Sequence, residues 1–235
     1  MNQQQHIIDI HKLRFRWRKD APLVLDIDSL QIVPGERLFI KGPSGSGKST
    51  LLSLLAGVLT PQQGELRVLG HSLPALKGAA RDAFRADHIG FIFQMFNLLP
   101  YLSVLENVTL PLHFSARRRN RVKHPQEEAM RLLAHLDLAG PELLARPVTE
   151  LSVGQQQRVA AARALIGSPE LLIADEPTSA LDADRREAFI QLLLNECNAA
   201  GTTLVFVSHD NSLQGYFDRS IALDDINHAA TAQAL

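Results

Sequence analysis

Eight consecutive residues, Gly42-Pro43-Ser44-Gly45-Ser46-Gly47-Lys48-Ser49, combine glycines, hydroxyls and one lysine in the pattern G-x-x-x-x-G-K-[ST]. Phosphate chains carry concentrated negative charge, and a turn of this kind offers several backbone N–H groups from one concave face. Glycine permits the backbone angles involved and removes the Cβ atoms that would block close approach. Lys48 has the reach for β- and γ-phosphates, the Ser49 hydroxyl is a ligand for Mg²⁺, and Thr50 follows in the helix start. A second chemical feature is the pair Asp175-Glu176, which closes the apolar run Leu171-Leu172-Ile173-Ala174. Asp175 suits Mg²⁺, held through its waters. Glu176 suits polarisation of an attacking water. The plain alternatives are a surface Gly/Ser turn and a polar strand end.

The elements around these residues fit the chemistry. Arg37–Lys41 reads as a short apolar strand running into the glycine-rich loop, and 49–59 reads as a helix through Leu51, Leu52, Leu54, Leu55, Val58 and Leu59. Thr60-Pro61 is expected to end that helix. Residues 6–40 read as alternating strands. The stretch 95–165 reads as helical, with a capping-box pattern at Ser103–Glu106 and a stripe of Ala129, Leu132, Leu133 and Leu136. Further helices are expected over 155–166 and 184–199, the latter with Gly201 as its cap, and a buried strand over 204–207 leads into Ser208-His209. This order predicts a parallel α/β sheet with an inserted helical subdomain. The core is expected over about 1–94 and 167–235, and the insertion over about 95–166. In such a sheet, ligands sit beyond the carboxyl ends of the strands, where Asp175 and Glu176 fall. No internal repeat is visible.

Composition bounds the possibilities. The chain has 235 residues, 24 basic against 25 acidic, and a net charge of −1, which argues against a globally basic nucleic-acid binder. A 46% hydrophobic content argues for a packed core. The single cysteine, Cys197, excludes an intrachain disulfide framework and fits a reducing compartment. No apolar run is long enough to span a bilayer, and the opening MNQQQHIIDIHK lacks the pattern of a secretory signal. A cytosolic domain is the expectation.

The segment Leu151-Ser152-Val153-Gly154-Gln155 resembles the L-S-G-G-Q signature of the ATP-binding cassette (ABC) ATPases. The rest of that family's motif set follows in order across nearly the whole chain. Gln94 resembles the glutamine-loop residue, Ser179–Asp182 the loop after the catalytic strand, His209 the switch histidine, and Trp17 the aromatic that stacks on adenine. The resemblance implies an α/β fold with a P-loop NTPase core, a mixed sheet, an antiparallel β region and an inserted helical subdomain, and ATP and Mg²⁺ as ligands. It implies two cassettes paired head to tail, each ATP lying between the phosphate loop of one and Ser152, Gly154, Gln155 and Asp182 of the other. It further implies that Ser49, Gln94 and Asp175 serve the metal, that Lys48, Gln94, Glu176 and His209 serve hydrolysis, and that Trp17 and residues 42–50 hold the nucleotide. Phe15 rivals Trp17 for the stacking role, and either could be a core aromatic. Asp182 could be only a helix cap, Gln94 an ordinary strand-end residue, and His209 a surface histidine.

One departure is Val153, where the family usually has glycine. If that position takes a positive φ, a β-branched side chain costs energy, and slower turnover is expected. The basic run of Arg117, Arg118, Arg119, Arg121 and Lys123 is expected to be a solvated face, with lipid headgroups as the rival partner. The stretch His88–Leu112 resembles cassettes of the lipoprotein-releasing, macrolide-efflux and antimicrobial-peptide-resistance group, which implies a separate membrane permease. The apolar residues Phe91, Phe93, Met95, Phe96, Leu98, Leu99 and Tyr101 are either a groove for a permease helix or core packing. The chief alternative functions are the ATPase head of a DNA-repair or chromosome protein and a soluble translation-linked cassette. No heptad run or cysteine cluster supports the first, and a single cassette disfavours the second.

Overall fold

The computed structural model describes residues 6–138, 140–179 and 181–229. Residues 1–5 of the opening that lacks a secretory-signal pattern, and Ala180 of the loop before Asp182, lie outside the described residues. The strands are β1 (Ile8–Phe15), β2 (Leu25–Ile32), β3 (Arg37–Lys41), β4 (Gln63–Val68), β5 (His71–Ser72), β6 (Ile89–Ile92), β7 (Leu171–Asp175), β8 (Thr203–Val207) and β9 (Arg219–Ala222). The helices are α1 (Lys48–Leu55), α2 (Gly78–His88), α3 (Val104–Phe114), α4 (Ala116–Arg121), α5 (Pro125–His135), α6 (Val153–Leu165), α7 (Ala183–Ala200) and α8 (Leu223–Ile226). The described residues fall into two compact units, one formed by residues up to Arg85 together with those from Val205 on, the other by Ala86–Leu204.

The first unit holds an antiparallel sheet in the order β2-β1-β4-β5. Ile8 faces Ile32 across β1 and β2, and Ile10 faces Leu30, so one side of the ribbon is apolar throughout. Leu38, Phe39 and Ile40 of β3 are all buried, the pattern of a strand covered on both faces. β3 pairs in parallel with β9, and the Ser208 N–H at the end of β8 donates to the Ile40 carbonyl. Phe39, Phe206 and Phe217 form an aromatic cluster with centroids 5.1 to 6.0 Å apart. Helix α1 buries Leu51, Leu52, Leu54 and Leu55. It stops at Ala56, ahead of the expected Thr60-Pro61, because Gly57 turns left-handed at φ 68°.

In the second unit β6 and β7 pair in parallel, Ile89 opposite Leu171 and Ile92 opposite Ala174. The helical stretch expected over 95–166 lies here as α3 to α6, together with α7. Ser103 and Glu106 form the expected capping box on α3, and the stripe Ala129, Leu132, Leu133 and Leu136 is buried.

Four residues of the basic run, Arg117, Arg119, Arg121 and Lys123, are exposed as expected, and Arg118 alone departs from the solvated face. Arg118 is buried, its guanidinium donating to the carbonyls of Ile166 (2.8 Å) and Ala164 (2.7 Å). Burial lowers its pKa to about 10, still leaving it charged at neutral pH. Arg117 and Arg121 both bond to Glu170. Burial alone would raise the Glu170 pKa, but hydrogen bonds from these two arginines outweigh it and hold the pKa at about 2. The run therefore fastens α4 to the connection between α6 and β7.

Candidate active site

The phosphate loop begins where β3 ends, and α1 starts from Gly47 at φ 100°, a left-handed conformation, with no side-chain cap. A Cβ at Gly47 would also lie 2.9 Å from Leu25 Cδ2 and 3.3 Å from the Val24 oxygen, so glycine is required twice over. The first helical N–H groups have no partner within their own helix, and the helix dipole adds positive potential there. Lys48 is buried, and its Nζ donates to the carbonyls of Gly42 and Pro43, both at 2.7 Å. The ammonium is thus held over the loop. The Ser46 hydroxyl is buried and takes no partner among the described residues. A buried orphan of this kind costs about 1–3 kcal/mol until an acceptor or donor arrives. Phosphate oxygens supply acceptors for all these groups. The loop residues Pro43, Ser44, Gly45 and Ser49 are exposed, with Thr50 half-buried.

Trp17 and Phe15 separate cleanly. Phe15 is 4% exposed and belongs to the core, while Trp17 is 60% exposed and meets Phe15 edge-on at 5.2 Å. Phe15 therefore braces the indole, leaving a face of Trp17 open for stacking. The loop that presents Trp17 is fixed by Gln62, whose side chain accepts from Arg16 N (2.9 Å) and donates to Arg16 O (2.8 Å). A cleft of about 530 Å³ beside it is lined by Arg14, Arg16, Trp17, Arg18, Lys19, Leu23, Gln62 and Gln63. His209 is exposed directly after β8, in this same unit.

The second unit carries the remaining predicted residues. Asp175 ends β7 and Glu176 follows at φ 44°, left-handed and non-glycine. A conformation of this kind costs of order 1–3 kcal/mol and persists only where its surroundings impose it. Both carboxylates are half-buried. Gln94 is exposed two residues beyond the end of β6. The chain beyond it takes two successive left-handed residues, Phe96 (φ 59°) and Asn97 (φ 50°). Arg163 of α6 holds their carbonyls, at 2.5 Å to Phe96 and 2.7 Å to Asn97. Its burial lowers its pKa. Asn107 is wholly buried and binds the backbone of Leu99, Leu102 and Ser103. Sequence reasoning named neither Arg163 nor Asn107, nor Gln62.

At the signature, Ser152 caps α6 and forms a capping box with Gln155: Ser152 Oγ accepts from Gln155 N, and Gln155 Oε1 accepts from Ser152 N. The Ser152 hydroxyl proton and the N–H groups of Val153 and Gly154, which have no intrahelical acceptor, remain for an anion. Val153 is the first residue of α6 and is absent from the positive-φ positions, so the expected strain is not there. It is instead an exposed apolar side chain at the helix start. Asp182 does cap α7, accepting from Arg185 N at 3.0 Å. Of the apolar cluster, Phe96 is buried, Phe91 stacks on Phe93, and Met95 and Tyr101 are largely exposed.

The ABC transporter family matches this chain over residues 25–179. The chain belongs to that family. It is 43% identical to the macrolide export ATP-binding/permease protein MacB of Chromobacterium violaceum over 212 residues, 90% of this chain and 32% of that protein. The chain therefore spans about a third of that relative's length. It is 39% identical to the lipoprotein-releasing system ATP-binding protein LolD of Bacteroides fragilis, covering 84% of this chain and 89% of LolD. Among solved structures, the dimeric post-hydrolysis state of the ATP-binding cassette MJ0796 bound to ADP and phosphate superimposes with a TM-score of 0.80 at 34% identity, covering 92% and 93% of the two chains. The fold is that of an ABC ATPase cassette. Among the described residues no helix is long and apolar enough to cross a membrane.

Proposed function

We propose that this chain is the ATP-binding and ATP-hydrolysing subunit of an ABC transporter, driving a separate membrane permease in an export or extrusion system of the lipoprotein-releasing or macrolide-efflux kind. The observation that carries the reading is the start of α1, an uncapped, left-handed helix entry with a buried lysine held over it. Such an end is built for a phosphate chain rather than for the protein's own side chains.

In this reading Trp17 stacks on adenine, and Gly42–Thr50 hold the triphosphate, with Lys48 leaving the loop carbonyls for the β- and γ-phosphates. Ser49, Gln94 and Asp175 offer a hydroxyl, a carboxamide and a carboxylate, a hard-oxygen donor set that fits Mg²⁺. Bound there, Mg²⁺ would neutralise charge developing on the phosphates. Glu176 takes the proton of the attacking water while His209 bonds the γ-phosphate; the bond from the γ-phosphorus to the bridging oxygen breaks, giving ADP and phosphate. Ser152, Gly154, Gln155 and Asp182 serve the nucleotide of a second cassette in a head-to-tail dimer. The N–H groups at the start of α6 that lack an intrahelical acceptor support this, because they offer donors to an anion. The exposed Phe93, Met95 and Tyr101 support docking to a permease, which would place the chain on the cytoplasmic face of a membrane.

The test is Glu176→Gln. ATP binding should persist, turnover should fall by at least about a hundredfold, and ATP should drive a stable dimer visible by light scattering. Turnover at the unmodified rate would remove Glu176 as base, and absence of ATP binding by the unmodified chain would overturn the reading as a whole.

A further inference from the structure

Asn227 lies far along the chain from the phosphate loop, yet its whole side chain is committed to that loop's surroundings. Its Nδ2 donates to the Val24 carbonyl at 3.0 Å and to the Ser46 carbonyl at 3.3 Å. Its Oδ1 accepts from Asp26 N at 2.8 Å and Ala229 N at 3.2 Å. Two donors and two acceptors are the full capacity of a carboxamide. The four partners are backbone groups of fixed character, so only one orientation of the amide satisfies them.

The two carbonyls bound by Nδ2 belong to different parts of the nucleotide site. Val24 closes the loop that carries Trp17, since its N–H donates to the Phe15 carbonyl at 2.9 Å. Ser46 sits inside the phosphate loop, next to Gly47, whose missing Cβ lets the loop touch Val24 and Leu25. One amide group therefore ties the segment presenting the stacking platform to the segment cradling phosphate. We infer that Asn227 is a positioning residue that sets the spacing between Trp17 and the phosphate loop, so that the base and the triphosphate of one ATP are engaged together. This rests on the ATP reading above. Asn227 touches neither end of the ligand; it acts through Val24 and Ser46.

Calorimetric titration of ATP into the full chain tests this, with Asn227→Ala, Asn227→Asp and each of these combined with Trp17→Ala. Aspartate keeps the acceptor for Asp26 and Ala229, lacks both donors and adds a negative charge whose effect on ATP does not depend on Trp17, so through the comparison of its losses with and without Trp17 it carries the test if the alanine variant fails to fold. The expected result is an ATP affinity about five- to tenfold weaker for Asn227→Ala, the scale of one or two neutral hydrogen bonds. In the Trp17→Ala background the same change should cost less than about twofold, the non-additivity expected of coupled residues. Trp17 is the only tryptophan, so its quenching by ATP should move to correspondingly higher concentration. A merely structural role would lower the melting temperature and leave the affinity of the folded protein alone. Unchanged affinity in Asn227→Ala, or an equal loss with and without Trp17, overturns the inference while leaving the ATP reading intact; no ATP binding by the unmodified chain overturns that reading instead.

Discussion

Helices α1 and α6 both begin with groups able to bind an anion, and they begin differently. α1 starts from a left-handed glycine with no side-chain cap and a lysine folded over its own loop. α6 starts from Ser152 in an ordinary extended conformation, with its cap completed by Gln155. The first is an entry that the protein leaves unfinished, at a cost in the orphaned Ser46 hydroxyl. The second is self-sufficient, with only a few donors to spare. An unfinished helix start holds a ligand tightly by itself, whereas a finished one contributes only when something else brings the ligand to it. That contrast matches one cassette binding nucleotide and a second cassette completing the site.

Substitutions can break or sharpen the contrast. The largest effect is expected for Lys48→Ala, which should weaken ATP binding by roughly a hundredfold, the scale of a desolvated charge-assisted contact; calorimetry checks it, and Ser152→Ala measured alongside should bind ATP as the unmodified chain does. Next is glycine chemistry. Gly47→Ala should cost about 1–3 kcal/mol in chemical denaturation through its left-handed φ and its contact with Leu25. Gly154→Ala should cost under about 0.5 kcal/mol, because its Cβ would meet nothing nearer than 3.5 Å. Equal destabilisation by the two would erase the distinction between the helix starts. Ser152→Ala should lose about 1 kcal/mol of stability through the cap and should slow turnover under dimer-forming conditions. The smallest effect is expected for Val153→Gly: with Val153 already helical, ATPase turnover should change by less than about twofold, since only a few tenths of a kcal/mol separate the two residues at a helix start. A large gain in turnover would restore the idea that this valine is a handicap.

What the sequence disclosed follows the range of the interactions. Gly42–Ser49 and Asp175-Glu176 carry their chemistry within a few residues, so spacing alone announced the loop and the acidic strand end. The caps at Ser103, Ser152 and Asp182 are equally local, each closing over three residues. Gln62, Arg163 and Asn227 gave no such signal. The backbone groups they hold at the site are 46, 66 and 181 positions away or more, Ala229 beside Asn227 being the one local partner, and nothing about a glutamine, an arginine in an alanine-rich helix or a late asparagine marks them beforehand. Within the basic run only Arg118 misled, for the same reason: a local count of charges suggests solvent, while Arg118 finds its acceptors 46 and 48 residues on. Helix α1 ended early because Gly57 could turn left-handed before the proline was reached. The glycine expectation at Val153 came from a family pattern, and the local φ decided otherwise.

The grip of Arg163 has a mechanical side. Thirteen residues of α6 make a strut of about 20 Å. Ser152 stands at one end of the strut, and a guanidinium near the other end clasps the backbone just past Gln94. Those two bonds join the helix that starts at Ser152 to the segment that bears Met95, so the two ends of the strut are physically connected.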